Sequence, residues 1–462
     1  MKFRIREIEL YERPVQLRLP FRFGVVTLRH CPQAFVRARI ETEDGKSGWG
    51  AAAEMMAPKW FDKNLELTNE QNFEQLREAL RIARSAYLSD AAPATAFSHF
   101  AHHHDAVVQQ GAARGFNPLL ANYGPALVDR ALFDALCRLG GVSFYDAMRA
   151  NVAGIGGACR QFDGIDFDAF LRSLKPADSI EARHTVGMVD PITMADLAER
   201  VNDGLPETLE EVIAAWGHRY FKLKVGGNLQ ADIARLDKIA AVLDQLPHPY
   251  FVSLDGNEQY ADAKGVTELT DAIRSRATLH HLWESILFIE QPIARKVALD
   301  VDLRRADLGK PVIIDESDGE LDTFVRAKDC GYAGVSSKTC KGFYKSVLNA
   351  ARCKAWGPQY FMSAEDLTTQ AGLSVQQDLA LVNLLGVTHV ERNGHYYVNG
   401  LAAQSQQEQQ AFVQAHPDVY ERSHGAVRLK IQHGRIALKS LACAGFASAA
   451  MPDFEAMQPL RG

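Results

Sequence analysis

Four short stretches decide the fold of this chain: YFKLKV (220–225), YFVSLD (250–255), ILFIE (286–290) and PVIIDE (311–316). Each is rich in β-branched and aromatic residues, and the segments that follow carry apolar residues at helical spacing. This alternation is typical of βα units that lie side by side on a parallel sheet.

The same rhythm extends in both directions. Four further runs have the same character: RHTVGM (183–188), AGVSSK (333–338), YFMSAE (360–365) and VTHVER (387–392). A doubly wound open sheet would also show the alternation, but it rarely needs eight strands, whereas a barrel of about 250 residues does. We therefore predict an α/β chain with a TIM-type (β/α)7β barrel over residues 156–402.

Two flanking units complete the predicted organisation. Residues 1–155 have strand-like segments at 3–10 and 35–40 and helical spacing over 70–86 and 126–150, which indicates an α+β capping domain. Residues 403–462 are expected to return to this domain, with a hairpin turn at His433-Gly434.

Composition restricts the class of partner. The 462 residues are 47% hydrophobic and 23% charged with a net charge of −6, so neither nucleic acid nor an anionic membrane is expected to bind. The N-terminus reads as a strand rather than a signal peptide, no run is long enough to span a membrane, and the seven scattered cysteines suggest reduced thiols. We expect a cytoplasmic homo-oligomer that acts on a small molecule.

Three of the predicted strands end in carboxylates, namely Asp255, Glu290 and the pair Asp315-Glu316. Barrel enzymes place their active sites at these strand ends. Like charges brought together there repel unless a cation neutralises them, and Mg²⁺ prefers oxygen ligands. The alternative is three unrelated acidic residues in solvated loops.

Lysines complete the pattern. Lys222 and Lys224 are two apart, so they share one face of a strand, and two adjacent ammonium groups should lower the pKa of one of them. Lys338 ends the sixth run, nearly across the barrel. This arrangement predicts a general base and a general acid on opposite faces of a substrate carbon. Solvated lysines on an edge strand, and a surface lysine at 338, are the alternatives.

Five motifs in order resemble the enolase superfamily and, within its mandelate racemase/muconate lactonizing enzyme family, the muconate-lactonizing-enzyme-like subgroup. They are KLK (222–224), LDGN (254–257), IEQP (289–292), IDES (314–317) and SSKTCK (336–341). The resemblance extends over essentially the whole chain, because the first unit with its GWG turn (48–50) is similar to the family's capping domain.

The resemblance implies a role for each matching position. Asp255, Glu290 and Asp315 match magnesium ligands, with Glu316 beside them and Asn257 where the family supports the metal site. Lys224 matches the base and Lys222 the lysine that tunes it. Lys338 matches the acid or base of the opposite face, followed by Lys341.

Some positions depart from the family pattern. Gly342-Phe343 stands where two glycines are usual, and runs seven and eight end in Glu365 and Arg392. We expect Glu365 or Arg392 to bind a polar substrate group, or else to form a salt bridge with each other. Arg22 and Trp60 lie in loops that close over the barrel mouth in this family, although simple packing would also account for them.

The resemblance predicts a Mg²⁺-dependent enzyme that removes the α-proton of a small carboxylate through an enediolate, either a racemase or epimerase or a cycloisomerase. A dehydratase of a hydroxy or sugar acid would use the same intermediate. A third alternative is a metal-binding barrel without turnover.

Overall fold

The computed structural model describes residues 1–24, 26–89 and 91–460. The N-terminal unit is an antiparallel sheet covered by helices. Its strands are β1 (Phe3–Phe23), β2 (Val26–Thr42) and β3 (Ser47–Met55). Its helices are α1 (Asn69–Leu88), α2 (Ala96–Ala112), α3 (Pro118–Ala121), α4 (Tyr123–Gly140), α5 (Phe144–Arg149) and α6 (Phe167–Arg172).

The first hairpin is longer than the sequence patterns indicated. Prolines suggested a loop between residues 10 and 35, yet β1 and β2 pair through this region as far as Phe23 opposite Val26. Pro14 and Pro32 face each other on one rung of the ladder, so their missing N–H groups interrupt it at one place at most. The tip of this hairpin reaches the barrel mouth.

The central unit alternates strands and helices. Its strands are β4 (Ser179–Val186), β5 (Tyr220–Lys224), β6 (Phe251–Asp255), β7 (Ile286–Glu290), β8 (Val312–Ile314), β9 (Gly334–Ser337), β10 (Phe361–Ala364) and β11 (His389–Glu391). Its helices are α7 (Leu209–Trp216), α8 (Leu229–Leu243), α9 (Ala263–Ser275), α10 (His280–Ser285), α11 (Thr323–Asp329), α12 (Phe343–Trp356), α13 (Leu373–Leu384) and α14 (Gly394–Tyr397).

These eight strands form one curled parallel sheet in the order β10-β9-β8-β7-β6-β5-β4-β11. The two ends of this path, β10 and β11, contact each other. Arg183 of β4, the strand beside β11, donates hydrogen bonds of 2.9 Å to Ser363 Oγ and to the Ala364 carbonyl of β10. The predicted βα repeats on a parallel sheet are therefore confirmed. Full closure as a (β/α)7β barrel stays a prediction.

The C-terminal segment touches both units. It contains α15 (Gln406–Ala415), β12 (Tyr420–Ser423), β13 (Ala426–Leu429), β14 (Arg435–Ala437) and β15 (Gln458–Pro459). β15 pairs with β1 of the N-terminal sheet, whereas β14 pairs with β4 of the barrel sheet. The domain boundaries at 155 and 402 stay predictions.

The predicted turn at His433-Gly434 is confirmed, since Gln432 and Arg435 exchange backbone hydrogen bonds of 3.0 Å across it, but the two strands do not pair beyond this bridge. His433 and Gly434 have positive φ, 52° and 73°, as a tight turn requires. However, β13 pairs with β12, and the turn directs β14 to β4 instead. A hairpin pattern specifies the turn but not which exposed strand edge lies closest to it.

Within the described residues, none of the helices combines the length and the apolar character that crossing a bilayer requires. All seven cysteines are free thiols.

Candidate active site

The candidate site lies at the carboxyl ends of the barrel strands. Alternation along β5 places Lys222 and Lys224 on the inner face, while Phe221 and Leu223 pack outward in the hydrophobic layer beneath the helices. Both lysines are buried, at 0% and 6% exposure. The alternative of solvated lysines on an edge strand does not hold.

Four carboxylates surround the Lys222 ammonium group. Its Nζ lies at hydrogen-bond distance from each: 2.8 Å from Asp255 Oδ2, 3.0 Å from Glu290 Oε2, 2.5 Å from Glu365 Oε2 and 2.8 Å from Glu391 Oε2. Burial works against the charged form, but these anions raise the pKa of Lys222 well above its usual value. This direction is opposite to the one expected from two adjacent ammonium groups alone.

Asp255 connects the two lysines of β5. Its Oδ2 also accepts a hydrogen bond of 2.5 Å from Lys224, and its Oδ1 accepts one of 2.8 Å from the Asn257 backbone N–H. Burial works to raise the pKa of Asp255, but the two ammonium groups lower it to about 2. Asp255 is therefore an anion at neutral pH.

A second cluster forms around Asp315, just after β8. Lys338 Nζ lies 2.7 Å from its Oδ2 and Lys341 Nζ lies 2.6 Å from its Oδ1. Trp60 donates a 3.3 Å hydrogen bond from Nε1 to Oδ2, and its ring centroid lies 4.2 Å from Lys338 Nζ. The capping unit thus contributes a side chain directly to the site.

Glu365 joins the two clusters. Its Oε2 contacts Lys222, and its Oε1 lies 2.5 Å from Lys338 Nζ. Burial alone would raise the pKa of Glu365, but the two ammonium groups hold it well below its usual range. The role predicted for Glu365, binding a polar substrate group, stays a prediction, since its oxygens already contact two lysines.

Glu290 is the least satisfied member of the site. Its Oε2 lies 3.0 Å from the Lys222 ammonium group, but neither of its buried carboxylate oxygens has a well-aligned hydrogen bond. Burial and the neighbouring Glu365 raise the pKa of Glu290 well above its usual value. A buried carboxylate with one ion pair and no well-aligned hydrogen bond can accept a bound cation, which would favour its ionised form.

The donor set fits a hard divalent cation. Oxygens of Asp255, Glu290 and Glu365 lie within 4.8 Å of one another. In all, five carboxylates (Asp255, Glu290, Asp315, Glu365, Glu391) face four ammonium groups (Lys222, Lys224, Lys338, Lys341). Asp315, the third ligand implied by the sequence resemblance, is not in the closest group and is held by Lys338 and Lys341.

Glu316 and Asn257 lie behind this site. Asn257 donates from Nδ2 to Glu316 Oε1 at 3.1 Å. Burial and the neighbouring Asp315 raise the pKa of Glu316 to about 7, although Lys63 acts in the opposite direction. The supporting role that the resemblance implies for both residues stays a prediction.

A narrow pocket opens onto the lysines between the two units. The hairpin tip and the capping loops supply an apolar side, with Phe21, Phe23, Leu28, Ala57 and Trp60. The barrel supplies a polar side, with Lys224, Asn257, Lys338, Glu365, Asp366, Leu367, Thr368, Glu391 and Asn393. Arg22 does not line this pocket, because its side chain is exposed on the other face of β1.

Arg392 lies away from the pocket. It pairs with Asp378 and lies 3.6 Å from Asp366 Oδ2, so the salt bridge with Glu365 considered above is absent from the described contacts. Its neighbour Glu391 points inward instead, where it contacts Lys222 and accepts a 2.7 Å hydrogen bond from Asn393. Strict two-residue alternation along β11 from His389 would have selected Glu391 rather than Arg392.

Some known proteins are similar to this chain in sequence. The Enolase C-terminal domain-like family model matches residues 204–442. Over 161 residues the chain is 27% identical to an N-succinyl-L-Arg/Lys racemase of Bacillus cereus, covering 33% of this chain and only 40% of that protein. Over 331 residues it is 23% identical to the o-succinylbenzoate synthase of Geobacillus stearothermophilus, covering 72% of this chain and 68% of that protein.

Among solved structures, a dipeptide epimerase from Enterococcus faecalis V583, complexed with Mg and the dipeptide L-Leu-L-Tyr, superposes with a TM-score of 0.60. The match covers 96% of this chain and 99% of that chain at 15% identity. The likeness shows a shared fold, with a TIM-barrel domain following the N-terminal unit.

Proposed function

Since this chain belongs to the enolase superfamily, we propose that it is a Mg²⁺-dependent enzyme that removes the α-proton of a small carboxylate substrate. The observation that carries this proposal is that Lys224 and Lys338 both line one pocket, each paired with a different carboxylate, Asp255 and Asp315. Such a pocket offers an ammonium or amine group to a substrate from two sides.

We assign the metal ligands to Asp255, Glu290 and Asp315. The first two end adjacent strands in register, and Asp315 follows the next strand. Mg²⁺ held by these residues would supply the positive charge that makes an α-proton acidic enough for an amine to remove. Asn257 and Glu316 support this set through the hydrogen bonds to Asp255 and to each other.

The four lysines of the site have different roles in this proposal. Lys224 is the base that takes the α-proton on one face. Lys338, which lies 2.7 Å from Asp315 Oδ2 and 2.5 Å from Glu365 Oε1, is the acid that returns a proton to the other face. For the opposite enantiomer the two lysines exchange these roles. Lys222 is fixed by four carboxylates and keeps them close to Lys224, and Lys341 fixes Asp315.

The pocket favours a carboxylate whose distal part is apolar. Phe21, Phe23 and Leu28 face the barrel residues across it, so a substrate that reaches the lysines would lay its far end against the capping unit. Trp60 is held at the boundary between the capping unit and the barrel by its contacts with Asp315 and Lys338.

We further propose a closed (β/α)7β barrel, a homo-oligomer and a cytoplasmic location.

Racemisation or epimerisation is the reaction we favour, with cycloisomerisation as its relative, because acid and base groups face one pocket from two strands. Dehydration is the second candidate, because it would pass through the same enediolate. The two outcomes differ in the product, because isomerisation conserves the mass of the substrate apart from deuterium, while dehydration removes water.

Incubation of N-acyl amino acids, dipeptides and hydroxy acids with the enzyme in D₂O and Mg²⁺ distinguishes these reactions by NMR and mass spectrometry. Deuterium at the α-carbon with retained mass elsewhere supports racemisation or epimerisation. Loss of water supports dehydration. Absence of exchange with every candidate, despite measured Mg²⁺ binding, would favour a binding barrel without turnover and overturn the proposal.

Substitution of each lysine tests the assignment of faces. Lys224→Gln should abolish α-proton exchange from one enantiomer, and Lys338→Gln from the other, each by at least about 10³-fold. Lys345→Gln is the matched control, because Lys345 is equally buried but pairs with Asp318 outside the pocket. Equal loss for both enantiomers in both variants would contradict the two-sided arrangement.

A further inference from the structure

Three histidines meet on the outer face of the barrel sheet, away from the candidate active site. His184 lies on β4 next to Thr185, whose hydroxyl bonds the inward-facing Glu391, so His184 points outward. His218 immediately precedes β5, and His395 lies in α14 after β11. The three residues are 2%, 0% and 8% exposed.

Their ring nitrogens converge. One nitrogen from each ring lies within 4.8 Å of the other two. Ring centroids of the three pairs are 5.4, 5.7 and 5.4 Å apart. His184 Nδ1 and His218 Nε2 are buried without a hydrogen-bond partner, and the buried nitrogens of His395 have at most a weak contact with the Arg392 backbone. Buried polar nitrogens are normally satisfied, so unsatisfied nitrogens on three converging rings require an explanation.

Ordinary core packing does not supply one. A packed core histidine usually finds a donor or acceptor for each nitrogen, as His218 Nδ1 does with the Ala182 carbonyl at 2.9 Å. That contact leaves Nε2 of the same ring directed at the cluster. A backbone carbonyl on one nitrogen and a free second nitrogen is the arrangement that metal-binding histidines show.

Backbone features place two of the rings. Gly217, with φ of 67°, ends α7 and turns the chain so that His218 enters the cluster. At Gly394 an added Cβ would lie 1.8 Å from the Thr369 carbonyl oxygen, so only glycine lets α14 approach this closely. His395 follows directly.

The rings are in the protonation state that binds metals. Burial lowers the pKa of His218 to about 4 and lowers the pKa of His184 and His395 well below the usual value. The backbone of Arg392 opposes this effect at His395. All three imidazoles are therefore neutral at pH 7, with lone pairs available.

We propose that His184, His218 and His395 form a second metal site, which takes a transition-metal cation of the Zn²⁺ class. Three imidazole nitrogens suit Zn²⁺, Co²⁺ or Ni²⁺ and not Mg²⁺, which prefers oxygen ligands. With Zn–N bonds of about 2.0 Å, the nitrogens need to approach each other only modestly. A water molecule can complete the tetrahedron.

The site has an entrance and a structural role. A surface cavity reaches His395 between Trp216, Glu207 and Arg428, which gives a hydrated ion a path to the rings. Bound metal would tie β4, the start of β5 and α14 to one another. It would thereby fix the first and last strands of the barrel, and its main effect would be on stability and not on the chemical step.

Zn²⁺ and Co²⁺ binding to the full chain tests this proposal. The experiment uses an Asp255→Asn, Glu290→Gln background with excess Mg²⁺, so that the carboxylate site does not compete. We expect about one equivalent of Zn²⁺ by equilibrium dialysis and elemental analysis, a higher unfolding temperature with Zn²⁺, and intense visible absorption from tetrahedral Co²⁺.

Loss of one ligand should weaken binding at least roughly 100-fold, since loss of an outer-shell partner alone costs about 10- to 100-fold. His395→Gln and His184→Gln are therefore expected to lose Zn²⁺ and its thermal shift. His416→Gln is the matched control, because His416 is equally buried but both of its ring nitrogens already have partners.

Two results would overturn the proposal. One is unchanged Zn²⁺ binding in His395→Gln. The other is the absence of bound Zn²⁺, or the appearance of only weak octahedral Co²⁺ bands, in the background protein. This result needs no substitution of a histidine and so is independent of whether the histidine variants fold. Neither result bears on the proton-abstraction proposal, which is tested by exchange at the carboxylate site.

Discussion

At the scale of single residues, the site is a network of opposite charges that would be costly to bury separately. Glu365 and Asp255 each bridge two lysines, while Glu290 lacks a well-aligned hydrogen bond although Lys222 Nζ lies 3.0 Å from it. Such networks are stable only when every charge is compensated. Glu290 is the position where a divalent cation would add most to the compensation of buried charge.

The identity of the third metal ligand is open to direct measurement. Asp255→Asn and Glu290→Gln should each weaken Mg²⁺ binding by at least about 100-fold in calorimetric titration. If the assignment by resemblance is correct, Asp315→Asn has the same effect and Glu365→Gln a smaller one. The reverse order would assign the third ligand to Glu365, as the spacing of oxygens suggests.

Removal of the metal provides the matching test of function. Exhaustive chelation should abolish α-proton exchange, and Mg²⁺ should restore it. Glu320→Gln is the control for the carboxylate substitutions and should keep both Mg²⁺ binding and exchange, because Glu320 is exposed and lies outside the carboxylate group. Full exchange activity in chelated protein would contradict the assigned role of Mg²⁺.

At the scale of elements, the hairpin formed by β1 and β2 reaches the barrel mouth. Its tip presents Phe21, Phe23 and Leu28 to the pocket, while Arg22 points to solvent because neighbouring residues of a strand face opposite ways. The cap therefore contributes shape and apolar surface to recognition, and the barrel contributes the charges.

Truncation of the hairpin tip should change recognition more than chemistry. Phe23→Ala is expected to raise KM roughly tenfold or more for substrates with an apolar distal group, with kcat little changed, since about 1.5–3 kcal/mol of side-chain burial is removed. Arg22→Ala, one residue away on the exposed face, is the control and should leave KM unchanged. Steady-state kinetics on both variants decides the matter.

The approach of α14 to the loop after β10 depends on one glycine. Gly394→Ala would place a methyl group against the Thr369 backbone, which cannot move as a flexible side chain can. We expect a loss of about 3 kcal/mol in unfolding free energy. Gly156→Ala, where nothing lies within 4 Å of the added carbon, should stay within about 0.5 kcal/mol of the parent in urea unfolding.

At the scale of the whole molecule, the C-terminal segment joins the two units. β15 extends the N-terminal sheet and β14 extends the barrel sheet. Between these two strands, Ser440 and Ala449 form hydrogen bonds with the His416 ring. His416 Nε2 accepts a 3.0 Å hydrogen bond from the Ala449 backbone N–H, so this nitrogen must be unprotonated. Burial lowers the pKa of His416 to about 4, against the effect of Asp418.

This histidine makes stability depend on pH in a defined direction. Because its folded-state pKa is depressed, the unfolded chain takes up a proton first, so its contribution is complete above about pH 6.5 and is lost as pH falls toward about 4. Between pH 7 and pH 5 the loss should be about 2 kcal/mol. His416→Gln should remove this part of the pH dependence in urea unfolding, whereas exposed His280→Gln should retain it.

Local sequence patterns determined the strand ends that carry the site residues and the family to which the chain belongs. Alternation within the β-branched runs placed Lys222, Lys224, Asp255, Glu290 and Asp315 at the carboxyl ends of adjacent strands, because side-chain direction in a strand repeats every two residues. Five charged motifs in a fixed order identified the family. These features are local, so they could be predicted without knowledge of what lies across the barrel.

Only the tertiary structure decided which charges meet. Glu365 and Glu391 contact Lys222, whereas Arg392 pairs with Asp378. The strand β14 pairs with β4 and not with β13. Three histidines distant in sequence converge outside the sheet. Each of these contacts depends on how far the sheet curls and where the tail returns. Curvature and long-range docking arise from the packing of the whole chain, and no short stretch of sequence encodes them.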